Sequence, residues 1–474
     1  MLNLAAICTA ALSILTFTLP SGAQAYGEAL RPQFHFTAEK GWLNDPNGLV
    51  FYKGQYHLFF QHNPDGTNWV EGLSWGHAVS TDLVHWKQLE DTIPPTPRPD
   101  GKMAGSYSGT GFVDWNNSGE FATGAEKPIV LAWTATGLGQ CLAYSNDAGK
   151  TFTKYAQNPV IEMPVPKKKG DWDRDPDVFW YEPGKHWVLL YSITGTGFIV
   201  NTSTDLKHWK RESVINGFFE CPGMFELAVD GNAANKKWVV WDASSKYLIG
   251  TFDGKTFTKE AGPFVLDRGK NYYAAQSWSD APNGRRISIG WMRNSRFPGM
   301  PFNQQMGIVS ELKLKTIDGE GVRLTKLPVD EVKSLRGREE HVDNQPLEAG
   351  GDWVSSLSGD TFDIETEINP ANATSIVINI HGQELKWSGG ELSIAGASAN
   401  VPAGAGHPLR LRILVDRTSI EVYADGAAES LTMAYLPGGK ARPIRLTAVG
   451  GQARVISNHV WQMGSAWREA GSGH

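Results

Sequence analysis

The sequence predicts an all-β chain of two units, a five-bladed β-propeller followed by a C-terminal β-sandwich. Three observations carry that prediction. Continuous apolar runs recur at residues 56–60, 129–133, 187–191, 238–241 and 287–291. Such runs read as strands buried on both faces, and their spacing of roughly 50 to 70 residues is a period of radial blades. A Ser-x-Asp turn followed by an aromatic repeats with them: Ser80, Asp82 and Trp86; Ser145, Asp147 and Phe152; Ser203, Asp205 and Trp209; with a worn copy at Asp253 and Phe257. Beyond residue 340 the pattern changes to strict alternation, at residues 362–368, 409–415 and 419–423. Period-2 patterning indicates half-buried strands, as in a sandwich.

Taken in order, residues 1–25 read as a signal peptide. Residues 2–19 are almost wholly apolar or small, and Ala23-Gln24-Ala25 is an A-x-A cleavage site. An uncleaved membrane anchor is the competing reading, since no Lys or Arg precedes the apolar stretch. Residues 26–318 are assigned to the propeller, with residues 312–315 ending its last blade. Residues 319–340 are polar and charged and are expected to form a linker, with a short helix near residues 328–332. Residues 341–474 form the sandwich, and Trp353, Trp387 and Trp461 are expected to fill its core. The 52 Gly and 26 Pro favour many short strands joined by turns over long helices. A net charge of −6, from 44 basic and 50 acidic residues, asks for neither nucleic acid nor an anionic membrane surface. Without the leader only Cys141 and Cys221 remain, so one disulfide is possible but not deducible. A secreted chain of this size is held by burial rather than bridges.

The candidate chemistry begins at Gly41-Trp42-Leu43-Asn44-Asp45-Pro46-Asn47-Gly48, a run of turn formers carrying a carboxylate, two amides and an indole. Taken alone it is a plain hairpin turn. Two later stretches change its weight: Arg174-Asp175-Pro176, and Glu220-Cys221-Pro222. In a propeller the inner strands converge on a central funnel, so Asp45, Asp175 and Glu220 from three blades are expected to face one pocket. Two carboxyl groups flanking a glycosidic bond suffice to hydrolyse it, one as acid and the other as nucleophile or base. Phe218, Phe219, Pro222, Met224 and Phe225 are expected to desolvate Glu220 and favour its protonated form, while Asn44 and Asn47 keep Asp45 ionised. Competing motifs fail on chemistry. Asp171, Asp173, Asp175 and Glu182 imitate a calcium loop, but Pro176 stands where its sharp turn needs Gly. No HExxH or paired CxxC marks a metal site, and no G-x-S-x-G elbow marks a serine nucleophile.

Together these motifs resemble glycoside hydrolase family 32, the β-fructosidases: invertases, levanases and inulinases. Residues 42–48 are similar to the family's leading motif, with Leu43 where Met is more usual; Arg174-Asp175-Pro176 resembles its RDP motif and Glu220-Cys221 its EC motif. The resemblance runs from about Arg31 to the end and includes residues 415–422. It implies that Asp45 is the nucleophile, Glu220 the acid and then the base, and Asp175 an anchor for fructose hydroxyls that stabilises the transition state. It further implies that Trp42, Asn44, Gln61, Trp69, Tyr107, Ser108, Arg174, Tyr273 and Trp291 line the terminal fructose subsite. Amides, hydroxyls and a guanidinium suit sugar hydroxyls, and indoles suit apolar sugar faces. The implied protein is a secreted, monomeric, retaining enzyme acting on levan, inulin or sucrose, with no cofactor, metal, nucleic-acid or membrane partner. A fructosyltransferase using the same intermediate is the alternative, and a non-catalytic fructan or sucrose binder a second. Two positions depart from the family pattern. Asn271 stands where Asp is usual, which bears on specificity beyond the first subsite, and residues 306–312 lack an expected Pro-Arg, a change expected to touch packing.

Overall fold

The computed structural model describes residues 26–163, 173–404, 406–424, 428–438 and 443–467. The expected leader, Asp171 and Trp172 lie outside the described residues. The fold is a five-bladed propeller followed by a β-sandwich. Blade I pairs Gly41–Tyr52, Gln55–Asn63, Ser74–Ser80 and Lys87–Ile93 in that order. Blade II pairs Ser106–Val113, Ile129–Ala135, Gly139–Ser145 and Thr153–Lys154. Blade III pairs Arg174–Tyr181, His186–Ile193, Gly197–Ser203 and Lys210–Asn216. Blade IV pairs Gly223–Val229, Asn232–Trp241, Lys246–Phe252 and Phe257–Val265. Blade V pairs Tyr272–Ser277, Arg286–Met292, Ser310–Ile317 and Gly321–Pro328. Each apolar run is the second strand of its blade, enclosed by strands on both edges and by neighbouring blades on both faces, which is why alternation is absent there.

The repeated turn has one physical cause in blades I to IV, the last of which keeps only its Asp. Its Ser hydroxyl and Asp carboxylate cap the backbone N–H groups between the third and fourth strands. Ser80 Oγ takes the N–H of Leu83 at 2.9 Å and Asp82 Oδ1 that of His85 at 2.8 Å. Ser145 Oγ takes Gly149 N–H at 2.9 Å and Asp147 Oδ1 takes Thr151 N–H at 2.9 Å. Asp205 Oδ1 takes His208 N–H at 2.8 Å, and Asp253 Oδ1 takes Thr256 N–H at 2.7 Å. The ring is closed twice: Phe302–Asn303 runs parallel to Gly41 and Trp42, and Val50 bridges Ser279.

Residues 319–340, expected as a linker, are mostly regular structure. Gly321–Pro328 pairs along its whole length with Ser310–Ile317 and is the outer strand of blade V; Asp330–Leu335 is a 3-10 helix; Arg336–Leu347 is already a sandwich strand. Their polar composition reflects edge strands with one solvated face. Residues 312–315 accordingly lie in the third strand of that blade and do not end it.

Two six-stranded sheets form the sandwich. Its core is aliphatic, with Trp387 buried and Trp353 packed at the margin. Trp461, expected in that core, lies outside it, between the Arg336 guanidinium at 3.6 Å and the His459 ring at 5.4 Å. The sandwich meets the propeller through charges that are buried and fully engaged, the condition for burying them at tolerable cost. Asp267 takes Lys326 Nζ at 2.6 Å, Thr432 Oγ1 at 2.6 Å and Ser430 Oγ at 3.0 Å. His35 lies between Asp416 at 2.8 Å and Glu421 at 3.0 Å, and these carboxylates push its imidazole up to about 9 against the opposing effect of burial, which is the largest single influence. Met306 is buried beside Trp291, and Ile308 N–H donates to Glu421 of the sandwich. Among the described residues no helix is long and apolar enough to cross a membrane.

Candidate active site

The inner strands leave their ladders where they reach the propeller axis. Register breaks fall between Leu43 and Pro46 in blade I, Ser106 and Gly109 in blade II, Arg174 and Asp177 in blade III, and Tyr273 and Gln276 in blade V. A bulge frees a side chain from the ladder and re-aims it. Here the freed residues include Asn44, Asp45, Tyr107, Ser108 and Asp175. Blade IV contributes Glu220 from the turn just before its first strand. Asp175 and Cys221 sit at φ 67° and 50°, a conformation costing a non-glycine residue of order 1 kcal/mol or more. Hydrogen bonds hold both: Asp175 N–H donates to Thr134 Oγ1 at 2.9 Å, and Cys221 N–H donates to Asp175 Oδ2 at 3.0 Å.

Asp45, Asp175 and Glu220 line one cavity of about 380 Å³, together with Asn44, Gln61, Trp69, Tyr107, Ser108, Arg174, Tyr273, Trp291 and Arg293. The three carboxylates have different partners. Asp45 accepts from Ser108 Oγ at 2.7 Å and from Asn44 Nδ2 at 3.2 Å. Burial, and then the charge of Glu220, push its carboxyl up, against these two donors. Asp175 is pushed up to about 7, first by burial and then by Glu220 and Asp45, with the adjacent Arg174 opposing. Glu220 Oε2 takes both Nε and Nη2 of Arg174, at 3.1 and 2.7 Å, and its Oε1 takes the Tyr273 hydroxyl at 2.5 Å.

Two expectations about this environment change. Asn47 does not reach the Asp45 carboxylate; its Nδ2 donates to the Asp45 backbone carbonyl at 3.0 Å and its Oδ1 accepts from Gly109 N–H at 3.2 Å. Ser108 supplies the donor instead. The apolar residues around Glu220 in sequence do not enclose it either. Phe218 and Met224 are buried in the core between blades III and IV, and Phe219 lies 5.2 Å from the Arg174 guanidinium. Residues 218–222 lie in the turn between strands and follow no strand alternation, so adjacency in sequence was a poor guide to surroundings.

Of the residues singled out by sequence, all but Trp42 line the cavity. Trp42 stands behind it, donating Nε1–H to Asn44 Oδ1 at 2.9 Å and packing edge-on against Trp291, and it faces a neighbouring cavity. Asn44 in turn donates to Gln61 Oε1, and Gln61 donates to Ser108 at 3.3 Å, so a chain of amides and hydroxyls orients the donor to Asp45. Sequence reasoning missed Arg293 and Cys221. The Cys221 Sγ lies 3.8 Å from Asp45 and 3.6 Å from Asp175, and burial followed by these carboxylates pushes its thiol well up. Its signal was its place beside Glu220; that of Arg293 was its place two residues beyond Trp291. Cys141 and Cys221 are both free and buried, so the possible disulfide is absent. Among the described residues no group of three or more His, Cys, Asp or Glu is arranged to hold a metal ion.

Comparison with known proteins agrees with this geometry. A model of the N-terminal domain of glycosyl hydrolases family 32 matches residues 35–328, and one of the family's C-terminal domain matches residues 387–462. The chain is 37% identical over 496 residues to a levanase of Bacillus subtilis, covering 93% of this chain and 72% of that protein. It is 30% identical over 518 residues to an extracellular exo-inulinase of Aspergillus niger, covering 93% and 96%. The crystal structure of an exo-inulinase from Aspergillus awamori superposes with a TM-score of 0.82 at 27% identity, over 93% of this chain and 100% of that one.

Proposed function

Because the chain belongs to glycosyl hydrolase family 32, whose models match both its units, we propose that it is a retaining β-fructosidase that releases terminal β-D-fructofuranosyl residues from levan, inulin and sucrose. The observation that carries this reading is the gathering of Asp45, Asp175 and Glu220 around one sugar-sized cavity, each with different hydrogen-bond partners. Asp45 attacks the anomeric carbon while the Glu220 carboxylic acid gives its proton to the departing glycosidic oxygen. An ester joins fructose to Asp45. The Glu220 carboxylate then takes a proton from water, the resulting oxygen attacks the same carbon, and Asp45 departs as carboxylate. Two inversions give net retention.

Asp175 is assigned to the fructose hydroxyls rather than to covalent work, since Cys221 N–H and Arg174 hold it beside the reacting pair. Ser108 and Asn44 favour the ionised form of Asp45, the form that attacks. Arg174 and Tyr273 hold the two Glu220 oxygens in place by hydrogen bonds. The scheme uses only these side chains and water. Secretion is part of the reading, supported by residues 1–25 and by the extracellular relative. So is action as a monomer.

Hydrolysis rather than transfer is favoured by the names of the relatives, which are hydrolases. The test is product analysis on levan, inulin and sucrose in parallel. Fructose is expected as the dominant product. Oligosaccharides longer than the substrate would favour transfer, and absence of any reducing sugar would favour a binding protein.

A further inference from the structure

Arg293 is the one lining residue that neither the sequence motifs nor the proposed chemistry employs, and its surroundings are unusual for a cavity arginine. Its backbone is clamped on both sides by Asn271. Arg293 N–H donates to the Asn271 carbonyl at 2.7 Å, and Asn271 Nδ2 donates to the Arg293 carbonyl at 2.6 Å. Asn271 is fixed in turn to the sandwich, its Oδ1 accepting from Ala434 N–H at 2.9 Å. Both functional atoms of the amide are therefore engaged. An Asp at this position could accept from Ala434 but could not donate to the Arg293 carbonyl. The amide at residue 271 thus positions Arg293 and is not itself among the residues lining the cavity.

The Arg293 side chain is exposed, and its guanidinium carbon lies 4.4 Å from the centroid of the Tyr273 ring. No carboxylate, carbonyl or hydroxyl among the described residues takes any of its N–H groups. A guanidinium offers five donors in a rigid fork, and stacking on an aromatic face orients that fork at little entropic cost. The Tyr273 hydroxyl beneath it donates to Glu220. Glu220 is the group assigned to the departing oxygen, so Arg293, stacked on the Tyr273 that contacts Glu220, stands on the side from which the leaving group departs.

Resting on the β-fructosidase reading above, we infer that Arg293 is a specificity-determining contact for the leaving group, donating hydrogen bonds to the hydroxyls of the sugar that follows the scissile bond. Its partner class is a neutral polyhydroxylated leaving group: the glucose of sucrose or the next fructose of a fructan. A leaving group without hydroxyls gains nothing from it.

The test compares kcat/KM for sucrose, for 1-kestose and for methyl β-D-fructofuranoside, in the wild type, Arg293→Ala and Arg293→Lys. The expected result is that Arg293→Ala lowers the preference for sucrose and 1-kestose over the methyl glycoside by about 10- to 100-fold, mostly through KM, as loss of charge-assisted hydrogen bonds should, and that Arg293→Lys restores part of it. An unchanged preference in Arg293→Ala, whether turnover of all three persists or falls equally, would overturn the inference. An equal fall would place Arg293 behind Tyr273 and Glu220 instead. Failure of the wild type to release fructose from any of the three would count against the β-fructosidase reading itself.

Discussion

Arg174 is the charge on which the balance of the site turns. Its guanidinium makes two hydrogen bonds to Glu220 Oε2, at 3.1 and 2.7 Å, and its Nε is 3.5 Å from Asp175 Oδ2. One cation therefore serves two of the three carboxylates, and burial makes each contact worth more than it would be at the surface. Arg174→Lys keeps the charge but loses the fork. Losing one hydrogen bond to a charged group costs about 1.5 to 3 kcal/mol, or about 10- to 150-fold in kcat/KM. Arg174→Ala loses both bonds and leaves Asp175 buried without its cation, so its loss must exceed that of the lysine variant. The pH profile carries the sign. Arg174 opposes the burial that pushes Asp175 up to about 7; without it Asp175 rises further. If Asp175 accepts from fructose hydroxyls as a carboxylate, activity is lost as pH falls through its pKa, so the acid limb of kcat/KM must move to higher pH in Arg174→Ala. The assay is fructose release from sucrose across the acid and neutral range. An alanine variant within twofold of wild type, with its acid limb unmoved, would refute the reasoning.

Three further outcomes follow from the same geometry. Glu220→Ala should lower kcat on sucrose by at least about 10²- to 10⁴-fold, the range for losing a positioned acid–base group, and Asp45→Ala, which removes the nucleophile and with it the covalent intermediate, by at least as much, with melting temperature and circular dichroism retained; near-normal turnover in either would remove its assigned role. The His35 bridge makes stability pH-dependent. Its imidazole is raised from 6.5 to about 9, so its contribution is complete below pH 6.5 and is lost as pH rises through about 9. Asp416 and Glu421 are lowered, despite burial, by the bond to His35, so their contribution is present above pH 3.8 and 4.5 and is lost as pH falls through their lowered values. His35→Gln should flatten the alkaline fall in melting temperature, and an identical fall in the variant would contradict this. Finally, Cys141 and Cys221 are buried and burial pushes both thiols up, Cys141 to about 12. A thiolate-selective reagent should find neither in the native enzyme and both after unfolding; rapid native labelling would show that the site opens.

Much of this arrangement was legible in the sequence, for identifiable reasons. The second strand of each blade is covered on all sides, so its run of apolar residues is unbroken, and the Ser-x-Asp turn needs its side chains for capping wherever it occurs. Both signals are local, and both locate blades. The acidic residues at 45, 175 and 220 were legible because each stands beside Pro or an unusual turn former that breaks a ladder. What the sequence hid was direction. Asn47 looked like a donor to Asp45, yet the bulge turns its amide back to the backbone of blades I and II. Phe218 and Met224 looked like walls around Glu220, yet both pack into the core between blades III and IV while Glu220 stands in the turn between them. Gly321–Pro328 looked like linker because an outer blade strand exposes one face and ion-pairs Lys326 to Asp267 on the other. Arg293 carries no motif at all, and its position depends on a clamp from Asn271 that reaches the sandwich.

The central claim is that Asp45 forms a covalent bond to fructose while Glu220 handles the proton. A Glu220→Ala variant given β-fructofuranosyl fluoride, whose leaving group needs no protonation, should form the ester and hydrolyse it slowly for want of a base. Mass spectrometry of the rapidly quenched and digested protein should then find one fructosyl unit on the peptide carrying Asp45. A quenched protein with no adduct during turnover, or with the sugar on Asp175 or another residue, would contradict the account.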